Sequence, residues 1–292
     1  MRDKTIPEKK KLSLREIDRM KLRLSGLNLN TICIEALCPN VSECFSRGQA
    51  TFLILGRVCT RNCVFCNVTH GCPSPPDSTE PSRVAEAVRR LRLRHVVLTS
   101  PTRDDLPDGG AAMFVAVLEA LRRLVPCPTV ELLIPDFGGD PVVLRSLANS
   151  RPEMIGHNLE TVRRLYPRLR PGKFRAAYDR SLGVLRFLRE CDPSLCLKSA
   201  LMLGLGETEE EVEGALEDLL TAGCRYLSLG QYLAPSRRHH PVARHLDSRE
   251  FVAWRRRALS LGFRHVESGK FVRSSYHAEA HLQQDSGRES RD

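Results

Sequence analysis

The sequence holds one tryptophan, and only 5% of its 292 residues are aromatic. No basic stretch is interleaved with aromatics, so a groove that stacks nucleic-acid bases on rings is not expected. No apolar run approaches the ~20 residues that a membrane-spanning helix needs, so no membrane partner is expected. The first twenty residues, MRDKTIPEKKKLSLREIDRM, lack an apolar stretch. No secretory leader is therefore expected, and the expected compartment is the cytoplasm. Acidic charge is in deficit: 45 Lys and Arg against 35 Asp and Glu give a net charge of +10. A basic surface suits nucleic acid, an anionic cofactor or an acidic protein partner, and a solvated arginine-rich face accounts for it equally well. With 41% hydrophobic residues the chain can bury a full core, and at this length one domain, a barrel included, is the default.

Cysteine is what the chain has in surplus. Eleven are present, and six fall between Cys33 and Cys66. They form two triads: Cys33, Cys38 and Cys44 as C-x4-C-x5-C, then Cys59, Cys63 and Cys66 as C-x3-C-x2-C. In a reducing compartment clustered cysteines are more often metal ligands than disulfides. Bridges this close together would close tiny loops and stabilise little. Each triad is one ligand short of a tetrahedral zinc site or an iron–sulfur cube. Structural zinc usually takes paired C-x2-C knuckles, whereas a cube on three thiolates leaves one iron open to chelate a small molecule. The spacing of the second triad favours the cube; a zinc-stabilised structural or nucleic-acid-binding module is the competing reading. Phe65, before the last cysteine, either shields a cluster or fills the core. Cys72, Cys127, Cys191, Cys196 and Cys224 lack triad spacing and read as buried or incidental.

The rest of the chain alternates. Residues 1–30 are polar and weakly helical. The first triad lies among Pro39, Asn40, Ser42 and Gly48, which favour turns over a long helix. A strand in ATFLILGR then leads directly into the second triad. Helices are expected at Ser82–Leu93, Gly110–Leu124, Pro141–Ala148, Leu159–Leu165, Phe174–Arg189, Glu209–Ala222 and Ser248–Leu261. Strands are expected at His95–Thr99, Val130–Ile134, Met154–Gly156, Leu197–Leu203, Tyr226–Gln231 and Phe263–Val266. Strands alternating with helices of about 10–15 residues imply parallel βαβ units. Six strands in the main run predict an α/β fold, a partial (β/α)6 TIM-like barrel. Polar or glycine-rich clusters follow the strands, at 99–110, 135–140, 157–161, 204–211 and 230–236, and in a parallel barrel these share one mouth with the second triad.

CTRNCVFC resembles the C-x3-C-x-aromatic-C signature of the radical S-adenosylmethionine superfamily. The resemblance implies that Cys59, Cys63 and Cys66 hold a [4Fe–4S] cluster whose open iron binds the amino and carboxylate groups of S-adenosylmethionine. One electron then cleaves that cofactor to a 5′-deoxyadenosyl radical, which abstracts hydrogen from an unactivated carbon. The run EALCPNVSECFSRGQATFLILGRVCTRNCVFCNV narrows the resemblance to the lipoyl synthases. So do TSPTRDDLPDGGA, ELLIPDFGGD, HNLETV, LMLGLGET, GQYLAPS and VRSSYHA, and the match covers about residues 30–278.

Membership of that family implies a sulfurtransferase that inserts two sulfurs at carbons 6 and 8 of a protein-bound octanoyl-lysine. It also implies a second, auxiliary [4Fe–4S] cluster, held by Cys33, Cys38 and Cys44 and consumed as the sulfur donor. The fourth ligand implied is a serine of RSSY, Ser274 or Ser275, with Ser275 expected. Asn158, Glu160, Gly204, Gly206 and Glu207 are the implied S-adenosylmethionine contacts, although a strand-to-helix turn explains the last three as well. Arg273 is placed to hold a carboxylate or a carbonyl. His70, His95, His157 and His277 are not expected as ligands. No general base is assigned, because an unactivated C–H offers none a handle, and no catalytic residue is assigned beyond the cluster ligands. The implied partners are octanoylated lipoyl carrier domains, namely the acyltransferase component of the 2-oxoacid dehydrogenases and the glycine cleavage H protein. A low-potential donor such as ferredoxin or flavodoxin is implied too. A biotin-synthase-like or methylthiotransferase-like enzyme is the alternative. The expected division is an N-terminal extension at 1–48, a barrel at 49–262 and a C-terminal extension at 263–292. Gln49, Pro101–Thr102, Ala200, Arg225 and Lys270 depart from the family pattern, and none is an implied ligand.

Overall fold

The computed structural model describes Arg15, Asp18, Leu22 and residues 24–35, 38–47, 49–172 and 176–276. His277 and the tail beyond it lie outside the described residues.

β5, His95–Thr99, is buried along its whole length. Such a strand needs a neighbour on each side and cover on both faces, and the repeating βα pattern supplies them. β1 is Asn30–Thr31, β2 is Ala50–Leu53, β6 is Thr129–Leu133 and β7 is Met154–Gly156. β8 is Cys196–Leu203, β9 is Tyr226–Gln231 and β10 is His265–Gly269. They form one sheet in the order β1-β2-β5-β6-β7-β8-β9-β10. Every pairing in it is parallel except that of β1 with β2. β1 and β10 are the two ends of the sheet, so it is a partial barrel, as expected. β10 overlaps the last expected strand, Phe263–Val266, and pairs parallel with β9 in register from His265↔Tyr226 to Gly269↔Gly230.

Alternation along the strands separates two environments. Val130, Leu132, Leu197, Leu201, Leu227 and Leu229 join the apolar core under the helices. The residues between them, among them Glu131, Lys198, Ala200, Ser228 and Gly230, belong to the opposite, lumen face. Helix ends follow local chemistry. Thr208 and Asp247 each form a capping box with the Glu three residues on, and Asp140 caps the helix that begins at Pro141.

Three expectations shift. The helix expected at Leu159–Leu165 is a short 3-10 turn, Arg163–Leu165, followed by a helix at Tyr166–Leu169. Its first residues are drawn instead to β8: Glu160 N donates to Ala200 O, and Met202 N donates to Glu160 O. The last strand lies at His265–Gly269 because pairing with β9, not composition, sets its register. The first triad carries two short helices, Ile32–Glu35 and Val41–Ser46, on either side of a turn at Pro39–Asn40.

Candidate active site

The second triad lies on the loop after β2. β3, Val58–Cys59, pairs with β4, Thr69–His70, and this ladder ties the two ends of the loop together. Inside it Cys66 N donates to Cys63 O at 3.0 Å, a turn that brings the C-x2-C pair close. Adjacent strand-end loops hold it from outside. Thr60 N donates to Thr102 O, Val64 N to Leu169 O, and His240 N to Val64 O.

Arg61, between the first two cysteines, is an anchor that sequence reasoning missed. Its side chain is only 4% exposed. Nη1 and Nη2 donate to the two carboxylate oxygens of Asp136, each at 2.7 Å. Nε and Nη2 donate to Asp104 at 2.9 and 2.7 Å. Thr60 Oγ1 also donates to Asp104, at 2.7 Å. Burial alone would raise the Asp136 pKa, but the Arg61 hydrogen bonds and charge override it and hold that carboxyl well below the usual carboxylate range. The available signal was an Arg inside the cysteine motif and an Asp in each of two strand-end clusters.

Burial pushes the Cys66 thiol up to about 12. It raises Cys63 too, with the charge of Arg170 pulling the other way. Thiols held in this way keep their protons until a cation draws them off as thiolates, the usual coupling between a metal and its sulfur ligands. Arg170, also missed, places its charge beside Cys63 and Glu160. Glu160 has a left-handed backbone, φ 70°, unusual for a residue with a side chain. It is held there by the two bonds to β8. Burial raises its carboxyl pKa, opposed by Arg170 and Asn158. Asn158 Nδ2 donates to Glu160 Oε1 at 3.1 Å, while the buried Asn158 Oδ1 has no partner.

Gly204, Gly206 and Glu207 sit at the turn after β8. A Cβ on Gly204 would lie 2.3 Å from Arg244 O and from Gln231 Nε2, so only glycine fits. Both Glu207 carboxylate oxygens accept from the turn itself, from Gly204 N at 2.5 Å and Leu205 N at 2.9 Å.

The first triad closes against the C-terminal segment. Asn40 Nδ2 donates to Phe271 O at 2.5 Å, and Tyr276 Oη donates to Glu43 Oε1 at 3.0 Å. Cys33 is buried, and burial, then the neighbouring Cys38, pushes its thiol up to about 11. Cys33, Cys44 and Ser275 border one small cavity, together with His95 and Thr51. Cys33, Cys38, Arg273, Ser274 and Ser275 border a second, of 210 Å3, which also reaches Asn158 and Glu160. Three thiols and a hydroxyl around adjoining cavities suit an iron–sulfur cube. Among the described residues no three such side chains converge on the position of a single ion, whereas a four-iron cube takes each ligand at a separate corner.

A parallel partial barrel with three thiols just beyond its first parallel strand is the scaffold of enzymes that bind a cluster at the barrel mouth. Residues 53–219 match the Radical SAM superfamily. The lipoyl synthase of Geobacter metallireducens is 59% identical over 255 residues, which cover 87% of this chain and 89% of that protein. The FeFe-hydrogenase maturase HydG from Carboxydothermus hydrogenoformans superposes with a TM-score of 0.57 at 12% identity, covering 93% of this chain and 78% of that one. Streptococcus suis SuiB bound to precursor peptide SuiA superposes with a TM-score of 0.55 at 12% identity, over 79% of this chain. This chain spans about half the length of that SuiB chain, 52%. At such identities the two structures show a shared fold alone. The chain belongs to the radical SAM superfamily and, within it, to the lipoyl synthases.

Proposed function

We propose that this chain inserts two sulfur atoms, at carbons 6 and 8, into an octanoyl chain amide-linked to a lysine of a carrier domain. The observation that carries this reading is the 210 Å3 cavity. Its wall takes Cys33, Cys38, Ser274 and Ser275 from the extensions and Asn158 and Glu160 from the mouth of the barrel. Ile32, Leu133, Ala200 and Met202 make much of the remaining wall apolar. An acyl chain in this space lies beside the thiols of the first triad and against Asn158 and Glu160.

When bound, S-adenosylmethionine and the two [4Fe–4S] clusters supply the 5′-deoxyadenosyl radical and the sulfur. Cys59, Cys63 and Cys66 hold one cluster; Cys33, Cys38, Cys44 and Ser275 hold the other. Across the two cavities Ser275 shares a wall with all three auxiliary cysteines, while Ser274 borders only the larger one, which supports the second serine as ligand. Asn158 Oδ1 and the Glu160 carboxylate form an acceptor pair for the ammonium of S-adenosylmethionine. Glu207 and the two glycines contribute the shape of the turn beneath the cofactor. Octanoylated lipoyl domains of the 2-oxoacid dehydrogenases and the glycine cleavage H protein are the macromolecular substrates, with ferredoxin or flavodoxin as reductant. The cytoplasm keeps the thiols reduced. Among the described residues no helix is long and apolar enough to cross a membrane.

Anaerobic incubation of reconstituted protein with S-adenosylmethionine, dithionite and an octanoyl-lysine peptide tests this. Mass spectrometry is expected to show the peptide gaining two sulfurs. Release of 5′-deoxyadenosine with no sulfur on the peptide would overturn the assignment.

A further inference from the structure

Glu131 and Lys198 form an ion pair inside the barrel that the chemistry above does not use. Lys198 Nζ lies 2.5 Å from Glu131 Oε2, and both side chains are 0% exposed. They belong to β6 and β8 and meet across β7, at Gly156. A Cβ on Gly156 would lie 3.2 Å from Glu131 Oε1, so the bare backbone there leaves room for the carboxylate. Glu131 Oε1 has no hydrogen-bond partner, nor does the buried Ser228 Oγ. His95 adds to this polar layer. Its Nδ1 is 2.9 Å from Thr129 Oγ1, its Nε2 has no partner, and it senses the charge of Lys198.

A pair so buried is poorly explained by stability. Removing two charges from water costs several kcal/mol per ion, and well-packed apolar side chains of similar volume often do as well or better. Its position suggests another role. Leu133 and Ala200 lie two residues further along the same faces of β6 and β8, and both line the 210 Å3 cavity, as does Ser228. Two residues span about 7 Å of strand. The apolar wall of the cavity therefore passes into a charged layer within one side-chain length.

We propose that Glu131 and Lys198 form the floor of the acyl cavity and set the length of the chain it accepts. The proposal rests on that cavity being the octanoyl site. An eight-carbon chain ends among Leu133, Ala200 and Met202. A chain two methylenes longer must press its methyl end onto the ion pair or displace it, with no hydrogen bond gained. A purely apolar pocket discriminates an extra methylene by about 10–200-fold; a charged floor puts the selectivity at one end and makes it depend on these two side chains.

The test compares octanoyl-, decanoyl- and hexanoyl-lysine peptides under the turnover conditions above. The cluster-loaded wild type and the double variant Glu131→Leu with Lys198→Met, which keeps bulk and removes charge, are assayed side by side. The wild type is expected to thiolate the decanoyl peptide at least about a hundredfold less efficiently than the octanoyl one, with the double variant closing that gap at least tenfold. Leu133→Phe provides a second arm that leaves the ion pair in place; by shortening the cavity just above the floor, it shifts preference toward the hexanoyl peptide. Equal use of octanoyl and decanoyl peptides by the wild type would overturn the proposal. So would an unchanged ratio in a folded double variant, or an unchanged preference in Leu133→Phe. If the wild type places no sulfur on the octanoyl peptide, the functional reading itself fails, an outcome distinct from these.

Discussion

At the residue scale, the cysteines choose the chemistry and their neighbours decide whether it can be held in place. Arg61 sits inside the C-x3-C motif yet points away from its sulfurs' task. It binds Asp104 and Asp136 and so ties the loop of the second triad to the loops that follow β5 and β6. Only a planar guanidinium offers enough donors in one plane to satisfy both carboxylates; an ammonium does not. Arg61→Met takes the bidentate partner from the buried Asp136, leaving it only the more distant Arg180 at 3.6 Å, and from the half-buried Asp104. The loss expected is about 3–5 kcal/mol of stability, the range for breaking a buried pair. Arg61→Lys should fall between the two. Anaerobic denaturation together with iron analysis checks this. Wild-type stability and wild-type iron content in Arg61→Met would show that the anchor is dispensable.

At the element scale, the proposed auxiliary site depends on how closely the C-terminal segment approaches the barrel. Gly230 in β9 makes this possible: a Cβ there would lie 2.2 Å from Val272 O, a backbone atom that cannot rotate aside. Gly230→Ala is expected to push the 272–275 segment outward and take Ser275 from the first triad, while leaving the loop at Cys59–Cys66 intact. Reconstituted Gly230→Ala should then hold close to four irons per chain in place of about eight. It should still cleave S-adenosylmethionine without sulfur insertion. A full complement of iron and normal sulfur insertion would show that the approach is looser than the geometry implies. β10 makes the same point about elements. Its residues carry a strand's composition, but its register comes from pairing with β9, which is why the sequence placed it two residues early.

At the scale of the whole molecule, acid acts on groups spread through the barrel. Burial, then the charge of Lys198, lowers His95 to about 4, and burial lowers His157 as well. A histidine kept neutral by folding contributes stability that is complete above its unfolded pKa of about 6.5 and is lost as pH falls below it. Asp136 is depressed, so its contribution persists down to about pH 4 and declines below that. The thermal midpoint of the protein is therefore expected to fall between pH 7 and pH 5, and again more steeply below pH 4. His157→Asn should flatten the first decline relative to wild type. A midpoint independent of pH from 7 to 5 would contradict this account of the buried imidazoles.

Much was legible along the chain because it depends on local spacing. The C-x3-C-x2-C interval marks a metal-type thiol site, and its resemblance to a known signature names the cluster; alternating apolar runs report the βα order through periodicity. Glu131 between Val130 and Leu132, and Lys198 after Leu197, also carry the alternation of a strand with one polar face. What only the tertiary structure decided involves partners far apart in sequence. Arg61 meets Asp136 across 75 positions, and Lys198 meets Glu131 across 67. Such pairs exist because strand register and barrel curvature bring distant loops and faces together, and no local pattern encodes that distance.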